Sequence, residues 1–146
     1  MEVLHKLVEF CGTYRGKGIN HENEDFIGEI IIASILDGKG IEILYEALGK
    51  DKTVFHKEKT LIATDFFGKV KMWNLNSNSP GMTELELRSD ENVSLVFGIG
   101  DIEDKNSFRE EIKIELLNNK VGYHYSWGMP GGEYSYRSGL IMEKDM

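Results

Sequence analysis

The sequence contains few of the residues that cross-link or interrupt a fold. A single cysteine, Cys11, excludes an intramolecular disulfide and a thiolate metal cluster. The two prolines, Pro80 and Pro130, both fall among turn-forming residues, so no predicted strand interior loses a backbone donor. No apolar run approaches the roughly 20 residues of a membrane-spanning helix, and the acid Glu2 stands where a signal peptide is basic. We therefore expect a cytoplasmic protein without a membrane span.

Positive charge is also in deficit, since 17 Lys and Arg face 25 Asp and Glu, for a formal net charge of −8. These charges are spread singly along the chain, and such a surface repels phosphate backbones, which excludes nucleic acid as an expected partner. The chain has 146 residues, of which 40% are hydrophobic. This length suits one self-sufficient domain spanning 1–146, burying about 70% of its unfolded surface.

The first residues have the spacing of a short amphipathic helix. Apolar residues recur at i, i+4 and i+7, which predicts about two helical turns over 2–10, and Gly12 follows as a stop. Such a helix is too short to be stable alone. Its apolar face must therefore pack against the rest of the fold. The residues of that face are Val3, Leu4, Leu7, Val8 and Phe10.

After Gly12 the hydrophobic pattern changes to period two and stays there. It predicts strands at about 12–19, 25–36, 39–48, 53–64, 68–75, 82–89, 92–99, 107–117, 119–127 and 133–143, separated by short turn sequences. Short connections place consecutive strands side by side and antiparallel. Strands with one apolar face can bury it in a closed barrel or in a sandwich, and the absence of connections of Greek-key length favours the barrel. We therefore predict an all-β fold, a ten-stranded antiparallel up-and-down β-barrel with a short N-terminal helix.

The start of the first strand carries a resemblance to a known superfamily. A short helix followed by Gly12-Thr13-Tyr14 and only short-looped strands resembles the calycins, which include lipocalins, fatty-acid-binding proteins and bacterial lipocalin-like and nitrobindin-like barrels. Their signature is Gly-x-Trp, and Tyr14 stands in the Trp position. The resemblance implies that Tyr14 plugs one barrel end against the helix. In nitrobindin-like barrels a histidine near the C-terminus ligates haem. His124 lies near that place, but its neighbours do not match, so we expect no stoichiometric haem binding.

Strand alternation, with lysines taken as outward markers, assigns the side chains of the lumen. These side chains are mostly apolar with a few polar groups, which is typical of a small-ligand cavity. The predicted inward residues are Ile41, Ile43, Tyr45 and Ala47; Val54, His56, Glu58, Thr60 and Ile62; Val70, Met72 and Asn74; Val93, Leu95, Phe97 and Ile99; and Phe108, Ile112, Ile114 and Leu116.

His56 and Glu58 form the most informative polar pair. At positions i and i+2 of one strand they point the same way, about 6–7 Å apart. An inward Glu58 needs a partner, because a lone buried carboxylate is costly; His56, Arg137, a tyrosine hydroxyl or solvent would serve. The pattern fits equally well with the pair outside, beside the lysines. Glu110 also shares an inward face, and we expect it to reach solvent at its strand end.

The segment 122–127 is the richest in aromatic residues. Tyr123, Tyr125 and Trp127 share one face of the strand, whereas His124 and Ser126 share the other. Aromatic residues at this spacing are typical of core packing as well as of a ligand contact. The residues that we predict to contact a ligand are Tyr14, Tyr45, His56, Glu58, Met72, Phe97, Tyr123 and Tyr125.

The chain contains no catalytic, metal-binding or phosphate-binding motif, so we predict no catalytic residue, no metal ligand and no cofactor. The expected function is binding of a small, mostly apolar molecule in the lumen by a monomer or homodimer. Three alternatives remain. One is a filled lumen in a structural or interaction module, and another is a haem-binding nitrobindin-like barrel. The third is an enzyme that uses His56 and Glu58 as an acid/base pair on a small apolar carbonyl or ester compound.

Overall fold

The computed structural model describes residues 2–20 and 22–145, and these form one helix and ten strands. The predicted turn at 20–23 includes residue 21, which lies outside the described residues. The elements are α1 (Glu2–Val8), β1 (Gly12–Ile19), β2 (Asp25–Ile35), β3 (Gly40–Leu48), β4 (Val54–Thr64), β5 (Val70–Asn76), β6 (Met82–Glu91), β7 (Ser94–Ile99), β8 (Arg109–Leu117), β9 (Lys120–Gly128) and β10 (Ser135–Lys144).

The ten strands form a closed up-and-down barrel. Each strand pairs antiparallel with its neighbours in sequence, and β1 closes the barrel by pairing with β10, where Tyr14 lies opposite Lys144 and Ile19 opposite Gly139. Closure leaves no unpaired strand edge. The predicted all-β barrel with a short N-terminal helix is confirmed. No helix in residues 2–20 and 22–145 is long and apolar enough to cross a membrane.

Helix α1 covers the barrel end at which β1 begins. Leu7 is fully buried and α1 contacts β2 and β3, while Lys6 Nζ lies 2.6 Å from Asp90 Oδ1 at the end of β6. The helix ends at Val8, two residues before the predicted end. Tyr14 is 1% exposed, and its hydroxyl donates to the Phe10 carbonyl at 2.8 Å. The predicted placement of this tyrosine against the helical segment is therefore confirmed.

The opposite end of the barrel, called the far end here, carries the other five connections. They span 20–24, 49–53, 77–81, 100–108 and 129–134. Within the lumen the half next to α1 is filled by apolar side chains. Members of this group with no exposed surface are Leu7, Ile41, Ile62, Met72, Leu85, Ile114 and Met142. Polar groups therefore collect in the half that faces the far end.

Three residues predicted to face the lumen are exposed instead. A β-bulge after Ala47 places Val54 opposite Leu48 on the outside, although His56 and later residues of β4 keep the predicted side. Val93 lies in the turn between β6 and β7, and Phe108 precedes the first residue of β8. Alternation could not place these residues correctly, because each stands at or beyond the point where regular pairing begins.

Candidate functional site

The carboxylate of Glu58 is the centre of the polar half of the lumen. Its side chain has no exposed surface. It accepts hydrogen bonds from the hydroxyls of Tyr123 and Tyr125, and His56 Nε2 lies 3.1 Å from Oε1. Of the two orientations that the sequence left open for His56 and Glu58, the structure has the inward one, and the expectation of a tyrosine or histidine partner is confirmed. Three partners offset much of the cost of burying a carboxylate in the core.

Four aromatic rings form a closed circuit beside this carboxylate. The centroid of Tyr45 lies 5.9 Å from that of His56 and 5.2 Å from that of Tyr123. Tyr125 completes the circuit, at 5.4 Å from Tyr123 and 6.0 Å from His56, with both pairs edge to face. Such geometry is favourable between aromatic rings. Strand register brings Tyr45 and His56 together. Tyr45 pairs directly with Glu58 across β3 and β4, and His56 lies two residues before Glu58 on the same face of β4.

Small residues make room for the aromatic rings. A Cβ atom on Gly28 would meet Leu140 Cδ1 at 2.5 Å and would stand 3.3 Å from Cε1 and from the hydroxyl oxygen of Tyr45, so the glycine leaves space for both side chains. Ala47 pairs with His56 and is itself buried, so the cross-strand neighbour of the imidazole is a methyl group. The site therefore depends on the small residues Gly28 and Ala47 as well as on the aromatic residues.

A row of polar groups extends the site from β4 to β5. The Thr60 hydroxyl lies 3.5 Å from Glu58 Oε2, and Asn74 Nδ2 donates to Thr60 Oγ1 at 2.9 Å. Asn76 Nδ2 in turn donates to Asn74 Oδ1 at 3.0 Å. The predicted inward positions of Thr60 and Asn74 are confirmed. A connected network of this kind fixes the orientation of its members more firmly than isolated bonds would.

Glu110 lies near the same cluster and is only partly buried. Desolvation, and then the negative charge of Glu58, raise the pKa of Glu110 to about 7, with His56 acting in the opposite direction. None of the described residues donates a hydrogen bond to its carboxylate. The sequence placed Glu110 correctly on the inward face and near solvent. It gave no indication that two carboxylates lie close together, because that depends on how β4 and β8 face each other across the lumen.

The hydroxyls of Tyr123 and Tyr125 act as hydrogen-bond donors in this site. Burial first, and then the charge of Glu58, raise the pKa values of Tyr45, Tyr123 and Tyr125 above the usual range, so all three are protonated at neutral pH. His56, Glu110 and Tyr125 keep partial exposure, whereas Tyr45, Glu58 and Tyr123 are buried. Solvent therefore reaches the cluster from the far end of the barrel. We call His56, Glu110 and Tyr125 the lumen mouth.

The structure brings together five of the eight residues predicted to bind a ligand. Tyr45, His56, Glu58, Tyr123 and Tyr125 form the cluster described above. The others lie apart from these hydrogen bonds: Tyr14 is held by the Phe10 carbonyl, and Met72 and Phe97 are fully buried on β5 and β7. A ligand-binding role for each of the eight stays a prediction.

His124 lies on the outer face of the barrel. Its Nε2 is 2.6 Å from Glu115 Oε1 and its Nδ1 is 3.0 Å from the Tyr136 hydroxyl, beside a surface groove of about 370 Å³. The predicted division of β9 into two faces is confirmed. Because the ring points away from the lumen, this histidine does not fit a haem held inside the barrel. The His56 imidazole faces inward, and its Nε2 is already bonded to Glu58.

Arg109 is a structural residue of the far end that the sequence analysis missed. It lies on the outer side of β8, yet it is 1% exposed, because residues 129–132 cover it. Nη1 donates to the carbonyls of Ser107 and Met129 at 3.1 and 2.9 Å, and Nη2 to that of Gly132 at 2.8 Å. Its cross-strand partner is Gly128, where a Cβ would meet the guanidinium carbon at 2.7 Å. The pairing of this long cationic side chain with a glycine is the feature that could have indicated a covered arginine.

The His56–Glu58 pair also bears on the enzyme hypothesis. A carboxylate bonded to one imidazole nitrogen orients the ring and supports proton transfer at the other nitrogen. Among the described residues, no serine, threonine or cysteine side chain lies within hydrogen-bond distance of His56, so the pair would have to act on a water molecule. Acid/base catalysis at His56 stays a prediction.

Comparisons with known proteins bear on the fold alone. No known protein family and no curated protein sequence matches this chain. Its fold is similar to the crystal structure of Rv2717c from M. tuberculosis, with a TM-score of 0.73 over 100% of this chain and 99% of that one. The two sequences are 12% identical. A likeness at that identity shows a shared barrel fold and carries no activity from one protein to the other.

Proposed function

We propose that this protein binds a small, mostly apolar molecule in the far half of its lumen, entering through the lumen mouth. The observation that supports this proposal best is the buried Glu58 carboxylate, set beside four aromatic rings whose outermost members remain partly exposed. An apolar wall with a few convergent polar groups is the usual composition of a small-ligand site.

Filling a barrel with a polar cluster costs desolvation free energy that apolar packing does not. Well-packed apolar residues of similar volume are often as stabilising as a buried charged group, or more so. The α1 half of this lumen is filled by apolar side chains, with Ile62, Met72 and Leu85 fully buried. Departures from apolar packing concentrate at functional sites. The difference between the two halves of one lumen therefore supports a binding role for the polar half.

The charge of the site restricts the ligand. Glu58 and Glu110 would both repel a carboxylate, and Glu110 is ionised above its pKa of about 7. The hydroxyls of Tyr123 and Tyr125 already donate to Glu58, whereas the Glu110 carboxylate at the mouth is a free acceptor. We therefore propose an uncharged ligand, or one that donates a hydrogen bond, rather than a fatty-acid anion.

Binding of the uncharged fluorescent dye Nile red tests this proposal. We expect saturable binding at one dye per chain. Ala47→Phe should abolish it, because the new ring would project into the lumen at the position paired with His56. Ala63→Phe is the matched control, since that alanine lies on the outer side of β4 near α1, and its dye binding should be unchanged.

Two results would contradict the proposal. One is a folded wild-type protein that binds no dye, which would favour a filled barrel serving as a structural or interaction module. The other is equal dye binding by wild type and Ala47→Phe, with circular dichroism confirming that both are folded. For the ligand charge, 1-octanol should displace the dye at lower concentration than octanoate above the pKa of Glu110.

A further inference from the structure

A second cluster of chemically reactive side chains lies on the outer face of the barrel. His124 on β9 stands between Glu115 on β8 and Tyr136 on β10. Its Nε2 is 2.6 Å from Glu115 Oε1, and its Nδ1 is 3.0 Å from the Tyr136 hydroxyl. We call these three residues the outer triad. The proposed lumen site uses none of them.

The hydrogen bonds determine which atoms of the outer triad carry protons. A carboxylate can only accept, so the proton of the neutral imidazole lies on Nε2 and is donated to Glu115. Nδ1 is then an acceptor, and the Tyr136 hydroxyl donates to it. Burial, and then the charge of Glu115, raise the pKa of Tyr136, so the phenol keeps its proton at neutral pH. A hydroxyl bonded to an imidazole that a carboxylate orients is the arrangement of an activated nucleophile.

Two glycines leave the space that the outer triad occupies. Gly122 pairs with Glu115, and Gly139 pairs with His124. A Cβ atom on Gly122 would stand 2.7 Å from Glu115 Oε1 and 2.9 Å from His124 Nε2. One on Gly139 would collide with His124 Nδ1 and with the Tyr136 hydroxyl. A side chain at either position would therefore disturb both hydrogen bonds of the imidazole or displace the ring.

Tyr136 is presented to solvent beside a groove. The register of β9 and β10 shifts between Tyr136 and Ser138, and bulges of this kind redirect side chains next to active sites. Tyr136 is 60% exposed, whereas the side chains of Glu115 and His124 are 22% and 17% exposed. All three line the groove of about 370 Å³. A molecule in this groove would therefore contact the hydroxyl while the imidazole and the carboxylate stay largely covered.

We propose that the outer triad is an acyl-transfer site that hydrolyses small, uncharged aryl esters. Tyr136 is the nucleophile, His124 the general base and acid, and Glu115 the residue that positions the imidazole. The Tyr136 oxygen attacks the ester carbonyl carbon while its proton passes to His124 Nδ1. His124 returns that proton to the phenol oxygen of the substrate as the bond from this oxygen to the acyl carbon breaks.

A second step regenerates the outer triad. His124 Nδ1 takes a proton from water, whose oxygen attacks the acyl carbon held on Tyr136. The bond from the Tyr136 oxygen to that carbon then breaks, and His124 returns the proton to the tyrosine. The products of the two steps are a phenol and a carboxylic acid. The reaction is independent of the lumen ligand.

The nucleophile and the groove together define the substrate class. A phenol, with an ordinary pKa of about 10, readily displaces only a leaving group of similar or greater acidity, which favours aryl esters over alkyl esters and amides. Glu111 and Glu115 both line the groove and would repel an anionic acyl group. Lys113 also lines it, with Nζ 4.0 Å from Glu115 Oε2. A cation in the groove favours a carbonyl oxygen that becomes negative during acyl transfer.

The first test uses para-nitrophenyl acetate, whose hydrolysis releases a coloured phenol. Tandem mass spectrometry of quenched wild-type protein should map the acetyl group to Tyr136. Tyr136→Phe and His124→Gln should each lower the rate of phenol release about 100-fold or more. Tyr134→Phe is the matched control and should keep the wild-type rate, because that hydroxyl donates to Glu111 and not to a histidine. Acetyl groups found only on other residues, or a wild-type rate in Tyr136→Phe, would overturn the proposal.

The second test separates positioning by Glu115 from a structural role. Glu115→Gln keeps the shape of the side chain but removes the charge that stabilises the imidazolium formed during the reaction. We expect kcat to fall about tenfold or more at unchanged KM, because Glu115 acts through His124 and not on the bound ester. A raised KM with a lowered urea midpoint of unfolding would mean that Glu115 only supports the fold. Either that result or a wild-type kcat would overturn the outer triad.

Discussion

The chemistry of the lumen is set by two glutamates in different surroundings. Glu58 is fully buried and accepts hydrogen bonds from Tyr123 and Tyr125, whereas Glu110 is partly exposed and has no donor among the described residues. The sequence could predict that His56 and Glu58 share a side, since they are two residues apart on one strand. It could not predict the tyrosine donors, which lie 65 and 67 residues further along the chain.

Glu110 should make the stability of the protein depend on pH. Its pKa in the folded state is about 7, against an ordinary value of 4.5, so proton uptake favours the folded state. The free energy of unfolding should therefore fall as the pH rises from the ordinary value through the folded-state value. Allowing for partial exposure, we expect a fall on the order of 2 kcal/mol.

Urea denaturation across this pH range tests the assignment. Glu110→Gln cannot titrate and should lose this part of the pH dependence. Glu111→Gln, on the outer face of the same strand, should keep it. Identical pH profiles for wild type and Glu110→Gln would mean that Glu110 is solvated as an ordinary surface carboxylate.

At the level of the elements, α1 covers the apolar half of the lumen, and the bulged strand β4 carries His56 and Glu58 in the polar half. The apolar spacing of residues 2–10 predicted a helix that packs on the barrel, and Val3, Leu4 and Leu7 are buried there. The bulge after Ala47 could not be predicted, because alternation carries no signal for an extra residue. It changed the side of Val54 but left His56 and Glu58 inward.

Leu7 should anchor the helix to the barrel. Its side chain is fully buried, and Leu7→Ala should lower the free energy of unfolding by about 2–5 kcal/mol. Val8→Ala, at the exposed neighbouring position, should change it by about 0.5 kcal/mol or less. Urea midpoints at unchanged m-value measure both variants. Equal midpoints for Leu7→Ala and wild type would mean that the helix is not docked.

For the whole molecule, the sequence predicted the architecture better than the site. Ten period-two segments with short connections allow few arrangements, so closure of the barrel followed from the pattern. The alignment of Ile31, Leu44, Lys59, Leu75 and Met82 on the outer face and the cover over Arg109 did not follow from it. That alignment depends on the register across five strands, and the cover depends on where residues 129–132 fold back. Long-range register and loop conformation have no local sequence signature.

The most direct test of a lumen ligand site is the nuclear magnetic resonance spectrum of the tyrosine rings. The chain has six tyrosines, divided between the lumen cluster, the α1 end and β10 with its preceding loop. Titration with uncharged benzyl alcohol should shift the ring signals of Tyr45, Tyr123 and Tyr125. The signals of Tyr14, Tyr134 and Tyr136 should stay in place. Shifts confined to the second group, or no saturable shift in the first, would contradict binding in the far half of the lumen.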